Sequence, residues 1–420
     1  MFHIFVLSFW GVALPAFAQV TGNSPYTGLG VGEIYNGAFA QQMGLGGSSV
    51  SYSPTYFISG QNPALLAGNV NLIFESGVAG QYKQIQSTAQ SQLDLGGGLL
   101  YMSMAFPITH RWVSSMGIAP YSMVNYENRF RQRITNSDFS ADYLFKGSGG
   151  IGTVYWANGF KLNKQIYAGL KASYLYGTTS QEISTRLFTN TPLDYNIALN
   201  EKFVYSGLLL EPAVALKIPL NNKERFLNIG AVYSLQSNVS TRKFASLEQR
   251  TQNDEIIFSD TLQNLNENKG KTILPARYTI GISLEQQYQW AIVADFSTQD
   301  WTQFSSLGIS QNLIQGYSVH LGGEWVPDYT ALTGYFKRVI YRVGINYTQL
   351  PFQLQNQQIK DIALHWGISF PISRNSSLLN FGFALGQRGM LANELVRERF
   401  FRFSFGVSIN DRKFQRRRLD

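Results

Sequence analysis

Four histidines are the scarcest of the residues that could do chemistry in this chain: His3, His110, His320 and His365. His3 belongs to an apolar amino-terminal stretch and His110 to a short turn segment. A metal centre needs three or four ligands at set spacings, and no such spacing surrounds the other two. Cysteine is absent. That excludes disulfides, thiolate ligands and a lipid-anchored terminal cysteine. A Ser-His-acid hydrolase needs a base held beside its nucleophile, and nothing marks such a set. Gly28-x-Gly30-x-Gly32 and Gly147-x-Gly149-Gly150-x-Gly152 look like phosphate loops. Neither opens a helical pattern or continues into Gly-Lys-Ser/Thr. In strands, glycine marks bends or close backbone approach. No catalytic residue, metal or cofactor is assigned, and an enzyme is not expected.

A second set of polar residues is more informative. Asp295, His320, Arg342 and His365 each fall opposite the apolar face of an alternating segment. Each lies about five to seven residues from a short connector, and neighbouring strands are about 4.8 Å apart. The four should therefore form one polar band inside a lumen, as structural filling or as a gate. Two prolines break alternating segments. Pro120, close after Gly117 and Ala119, interrupts Val113–Tyr126, and Pro212 follows Glu211. Proline removes a ladder donor and belongs at edges and bulges, so each predicts a bulge or an opening. Pro120 is the predicted lateral opening, with Arg129 and Arg131 just beyond it.

The elements that must position these residues are strands. Phe401, Phe403, Phe405, Val407 and Ile409 alternate with Arg402, Ser404, Gly406, Ser408 and Asn410. Ile362, Leu364, Trp366, Ile368 and Phe370 alternate with Ala363, His365, Gly367 and Ser369. Leu227, Leu379 and Val339 open similar runs. Period two puts successive side chains on opposite faces, and runs of about nine to eleven residues suit membrane strands. Segments centred near residues 75, 101, 117, 154, 171, 211, 231, 280, 293, 319, 342, 366, 382 and 404 are joined alternately by short and long connectors. The long ones include 127–145, 178–203 and 238–272. Outer-membrane barrels have short periplasmic turns and long external loops. The predicted fold is all-β: a transmembrane antiparallel β-barrel of about 14 strands, both termini periplasmic.

Composition agrees. Charged residues are 14% of the 420, aromatics 14%, and glycines number 39. No internal apolar run reaches the length of a membrane helix. The net charge of +8 sits partly in the last ten residues, with no basic stripe interleaved with aromatics elsewhere, so nucleic acid is not an expected partner. Phe2–Phe17 followed by Ala16-Phe17-Ala18 reads as a signal peptide. The organisation is then a signal peptide at 1–18, a Gly- and Ser-rich segment at 19–69 with one short helix near Glu33–Met43, the barrel at 70–410, and a basic tail at 411–420.

Asn62-Pro63-Ala64, just before the first strand and after Met43-Gly44-Leu45-Gly46-Gly47-Ser48-Ser49-Val50, resembles the FadL-type family of outer-membrane transporters. The opening Ser24-Pro25-Tyr26-Thr27-Gly28-Leu29-Gly30 and the segment Gly322-Gly323-Glu324-Trp325-Val326-Pro327 resemble a Bacteroidetes-type group of FadL-like barrels. The resemblance implies a fourteen-stranded barrel in the outer membrane, plugged by residues 19–69 as a hatch, that passively carries hydrophobic, fatty-acid-like cargo. The same fold includes PorV-type subunits of the type IX secretion system. That leaves a protein-partner role, as a shuttle or as a subunit of a larger complex, as the alternative. The partners implied are outer-membrane lipid, a hydrophobic small molecule and, in the alternative, outer-membrane proteins.

Overall fold

The computed structural model describes residues 22–411, apart from 89, 138, 189–195, 221–223, 252, 266–267, 373–376 and 392–394. The signal peptide and nearly all of the basic tail lie outside the described residues. The amino-terminal segment contains strand β1 (Glu33–Ile34), helix α1 (Ala40–Met43) and a 3-10 turn at Pro63–Gly68. The wall begins with β2 (Leu72–Gln86), β3 (Ser91–Thr109), β4 (Trp112–Arg133), β5 (Ser140–Lys161), β6 (Ile166–Phe188), β7 (Asn196–Pro219) and β8 (Arg225–Ser234). Three strands follow: β9 (Ser237–Arg250), β10 (Ile256–Gln263) and β11 (Lys269–Leu274). The wall resumes with β12 (Arg277–Gln286) and β13 (Trp290–Asp300), then passes the small hairpin of β14 (Ser305–Ser306) and β15 (Ile309–Ser310). It ends with β16 (Gln315–Trp325), β17 (Ile340–Leu354), β18 (Gln357–Pro371), β19 (Leu378–Gly389) and β20 (Arg397–Asp411).

Each wall strand pairs antiparallel with the next, β8 pairs with β12, and β2 pairs with β20 from Leu72↔Asp411 to Gln86↔Arg397. The result is a closed barrel of 14 strands. Closure satisfies the backbone in lipid, which an open sheet cannot do. Among the described residues no helix is long and apolar enough to cross a membrane.

The alternation has its expected two faces. Val343, Ile345, Ile362 and Leu364 point outward and are exposed. Aromatic residues stack on that outer face, for instance Trp366 on Phe383 at 5.7 Å and Phe381 against Phe405 at 5.1 Å. On the inner face Ser369, Asn380, Ser404 and Ser408 are buried, and Arg342 turns inward with them. A cation on the lipid face would cost about 2–4 kcal/mol at mid-membrane, so this phase is strongly enforced.

The lumen is filled by residues 22–69, which fit because wall glycines let their backbone approach. A Cβ on Gly230 would lie 2.0 Å from the Val50 oxygen, and one on Gly344 would lie 2.4 Å from the Gly46 nitrogen. Four features depart from the sequence reading. The described residues of 127–145, 178–203 and 238–272 are largely strand: β4 to β7 run for 22 to 24 residues, and β9, β10 and β11 occupy most of the third stretch. Beyond the membrane both faces meet water, so apolar alternation fades while the ladder continues. Glu33–Ile34 is strand, and only Ala40–Met43 is helix; Gly37, at φ +78°, interrupts the segment. The first short turn falls at 110–111, since Pro107 stays in β3 opposite Val113. Pro212 causes no register shift against β6, where it faces Leu170. It stands where the other edge of β7 changes partner, from β8 at Ala213 to β9 at Ser206.

Candidate functional site: a break in the wall and the chamber beside it

The ladder between β3 and β4 runs only from Thr109↔Trp112 to Met102↔Ile118. Above that point β3 goes on pairing with β2 as far as Ser91, and β4 with β5 as far as Arg133. The two facing edges are therefore not paired with each other over most of their length. Pro120 lies at the start of this break, and Tyr121 is skipped in the register with β5. Gly117 and Ala119 flank the point of separation; Gly117 is the last of the three still paired to β3, opposite Ser103.

The amino-terminal segment covers the exposed edge of β4. Strand β1 pairs antiparallel with it, Glu33 opposite Met123 and Ile34 opposite Ser122. The Tyr35 N–H donates to the Tyr121 oxygen at 2.9 Å, and the Ser24 N–H to the Asn125 oxygen at 2.8 Å. Gly32, at φ +96°, lets the segment lie flat there, since a Cβ would sit 2.2 Å from the Met123 oxygen. Asn23 spans the break. Its side-chain oxygen accepts from the Glu127 N–H at 3.0 Å, and its own N–H donates to Asp94 of β3 at 2.6 Å. Asp94 and Glu127 lie toward the end of the barrel with the long connectors, so the described chain starts at that end.

Buried charges tie the segment to the opposite wall. The Glu33 carboxylate meets Arg388 at 2.6 Å and Arg402 at 3.1 Å. Arg388 also meets Asp361 at 2.9 Å. Burial would push the Glu33 carboxyl upward, but the two guanidiniums outweigh it and hold it well below the ordinary carboxylate range. Beside them Lys83 pairs with Glu398 at 3.2 Å, both side chains fully buried, and the Ser24 hydroxyl donates to Glu398 at 2.5 Å.

Above the segment lies a chamber of about 400 Å³. Its roof joins residues 24–31 to the connector between β13 and β16. Trp301, Phe304 and Leu313 pack there with Tyr26, Val31 and Phe352, and the Gly30 N–H donates to the Gln311 side chain at 2.7 Å. Ala119, Pro120, Tyr121 and Met123 line the chamber on the side of the break.

A family model described as BamG matches residues 1–420. The chain belongs to the BamG family. Among curated proteins nothing matches. The fold of this BamG-family chain is similar to that of the CymD monoaromatic hydrocarbon channel, with 14% identity over 89% of this chain and 98% of that one and a TM-score of 0.58. It is similar to the Ralstonia pickettii toluene transporter TbuX, with 14% identity, the same coverage and a TM-score of 0.57. A Pseudomonas aeruginosa FadL homologue shares 12% identity over 90% of this chain and 99% of that one, at a TM-score of 0.57. These likenesses are of fold, and they place the BamG-family barrel with the FadL-type architecture read from its sequence.

The remaining sequence-selected residues all touch residues 22–69. The Asn62 side chain accepts from the Ala64 N–H at 2.9 Å and donates to the Val50 oxygen at 2.6 Å. Pro63 opens the 3-10 turn that follows. Ala64 is fully buried, pressed against Gly169 of β6. Asp295 accepts from the Ser49 and Val50 N–H groups at 2.8 and 2.9 Å. His320, directly opposite Asp295 in the ladder, contacts the Gly46 oxygen at 2.6 Å. His365 joins them through Asn346, at 2.7 Å, the residue opposite His320. Arg342 sits four residues nearer the short turns and belongs to a different set. It pairs with Glu324 at 2.7 Å, and Glu324 accepts from Tyr52 at 2.8 Å. The expected single band is thus two levels, because Arg342 registers with Glu324 and Gly367 instead of His320. Sequence reasoning missed Glu33, Arg388, Glu398 and Lys83. The signal was there for three of them: charged residues at inward phase near the end of a strand. Among the described residues no His, Asp or Glu cluster could hold a metal.

Proposed function

We propose that this chain is a passive route for hydrophobic small molecules across the outer membrane, with residues 22–69 as its hatch and the β3–β4 break as its exit. Cargo reaches the roofed chamber from the long-connector end. It leaves sideways into the bilayer once β1 withdraws from β4. Direct release into water would cost a hydrophobic cargo about 25 cal/mol per Å² of apolar surface, and a sideways exit avoids that. The observation that carries the reading is the unfinished ladder. Unpaired backbone in lipid is expensive, yet here the edge of β4 beyond the break is paired, over part of its length, by a segment that is not part of the wall. That a monoaromatic hydrocarbon channel and a toluene transporter share the fold supports the cargo class.

The test uses the absence of native cysteine. Ile34→Cys and Ser122→Cys occupy directly opposed positions, within disulfide reach. Oxidation should stop uptake of a hydrophobic compound by cells or vesicles carrying the double variant, and reductant should restore it. Uptake that is the same oxidised and reduced sinks the proposal.

A second reading, a protein-partner barrel, is favoured by strand β10. Ile256, Ile257, Phe258 and Leu262 are more than half exposed, and among the described residues only β9 pairs with this strand. A free apolar edge can accept an extended segment from another protein. If Ser259→Pro abolishes co-purification of a partner while uptake persists, the partner reading holds.

A further inference from the structure

We infer that the chamber selects uncharged cargo, and that Glu211 is the residue that excludes carboxylates. This rests on the proposed transport reading. Four cations line the chamber, Lys171, Arg277, Arg388 and Arg402, against four acids, Glu33, Glu211, Asp295 and Asp361. The formal charges cancel, four against four, and every one of the cations already faces a carboxylate. Arg388 and Arg402 hold Glu33. Lys171 and Arg277 both hold Glu211, at 2.6 and 3.4 Å.

Glu211 is 3% exposed and is further fixed by the Ser234 hydroxyl at 2.6 Å. It places one carboxylate between two cations, where the head of a carboxylic acid cargo would otherwise bind. An incoming anion would have to shed its water, find no free cation and approach Glu211 itself. Removing a charge from water without a partner is strongly unfavourable. The remaining lining suits a neutral molecule: Leu209, Trp301, Leu313 and Phe352 on one side, Thr279 and Gln349 as uncharged polar groups. The volume of about 400 Å³ exceeds the 150 Å³ or so that encloses benzene in an apolar protein cavity, so a molecule of more than one ring fits.

A matched pair of probes separates charge from size: naphthalene and 2-naphthoate, at neutral pH where the acid is ionised. Equilibrium dialysis of the full-length protein in detergent, corrected against protein-free micelles, gives both affinities. The native chain should prefer naphthalene at least tenfold. Glu211→Gln frees Lys171 and Arg277, and the preference should shift at least tenfold toward naphthoate. Glu211→Gln combined with Lys171→Gln removes one freed cation and should shift it back. Folding of each variant is checked by heat-modifiable gel mobility; if the single variant does not fold, the preference of the native chain decides alone. Equal binding of the two probes by the native chain, or a folded Glu211→Gln with an unchanged ratio, overturns the inference and leaves the transport reading standing. Binding of neither probe overturns both.

Discussion

Glu33 gives the sharpest test of how the break is kept shut. At an effective dielectric of about 20, a unit-charge contact at the 2.6 Å of Glu33 and Arg388 is worth about 6 kcal/mol before desolvation, which offsets most of it. Removing one member of a buried pair typically costs about 3–5 kcal/mol. Glutamine keeps the shape and an acceptor, and Arg388 keeps Asp361 at 2.9 Å, so Glu33→Gln belongs at the lower end, about 3 kcal/mol. With tenfold per 1.4 kcal/mol, the population in which β1 has left β4 should rise about a hundredfold. Val124 reports on this. It is buried, and its side chain lies beneath Gly32 of the covering segment. In a chain without other thiols, Val124→Cys should react with a maleimide at a rate set by the uncovered population. The labelling rate should be about a hundred times faster when Glu33→Gln is added, with heat-modifiable mobility retained. A change of less than about threefold would refute the latch, since a contact worth 3 kcal/mol cannot be lost without it.

The pH response follows in sign. The Glu33 carboxyl is depressed in the folded state, so its contribution is present above the ordinary carboxylate value and is lost only as pH falls through the lower folded value. Labelling of Val124→Cys, relative to an exposed reference thiol, should stay flat from about pH 8 to about pH 5. Gly344→Leu should fold as a barrel but leave residues 22–69 open to protease, because its side chain would overlap the Gly46 backbone; protection equal to the native chain would refute the seating. Glu324→Gln should lower the thermal midpoint by leaving Arg342 buried without its 2.7 Å partner, and Arg342→Met in the same chain should recover most of the loss. A double variant no more stable than the single one would contradict the pairing.

The barrel was legible because lipid enforces it. Wherever a strand has lipid on one side, a misplaced residue costs kilocalories, so Phe401 to Ile409 or Ile362 to Phe370 carry an unbroken period of two. Outside that zone the signal fades: Arg129, Arg131 and Arg133 continue β4 yet read as loop, since both faces are solvated. A break at Pro120 was expected because proline lacks the donor a ladder needs. What fills it was not. Glu33 and Ile34 are two residues of strand, too few for any periodicity, and their pairing with β4 is fixed by contacts about 90 positions away. The charge cluster around Arg388 was hidden likewise, because its members come from the amino-terminal segment and from β2, β18, β19 and β20. Arg342 was assigned to the right face and the wrong level, since phase gives the face but only register gives the height.

The unequal strands give the mouth a direction. Strand β7 has 24 residues and β12 has 10. At 3.4 Å per residue and a tilt near 40°, they rise about 60 and about 25 Å along the membrane normal. The shorter height only matches the apolar band of about 25 Å, whereas β4 to β7, with β9 and β10 beside them, stand as a parapet on the long-connector side. The low flank is β12, β13 and β16, and the connector that roofs the chamber, with Trp301 and Leu313, hangs from two of those strands. In the proposed transport route a molecule would meet the roof across this low sill, on the far side of the barrel from β3 and β4. Entry and the proposed exit therefore face opposite sectors of the surrounding membrane. Anything bound along the parapet, including a chain added to the β10 edge, would leave the sill clear.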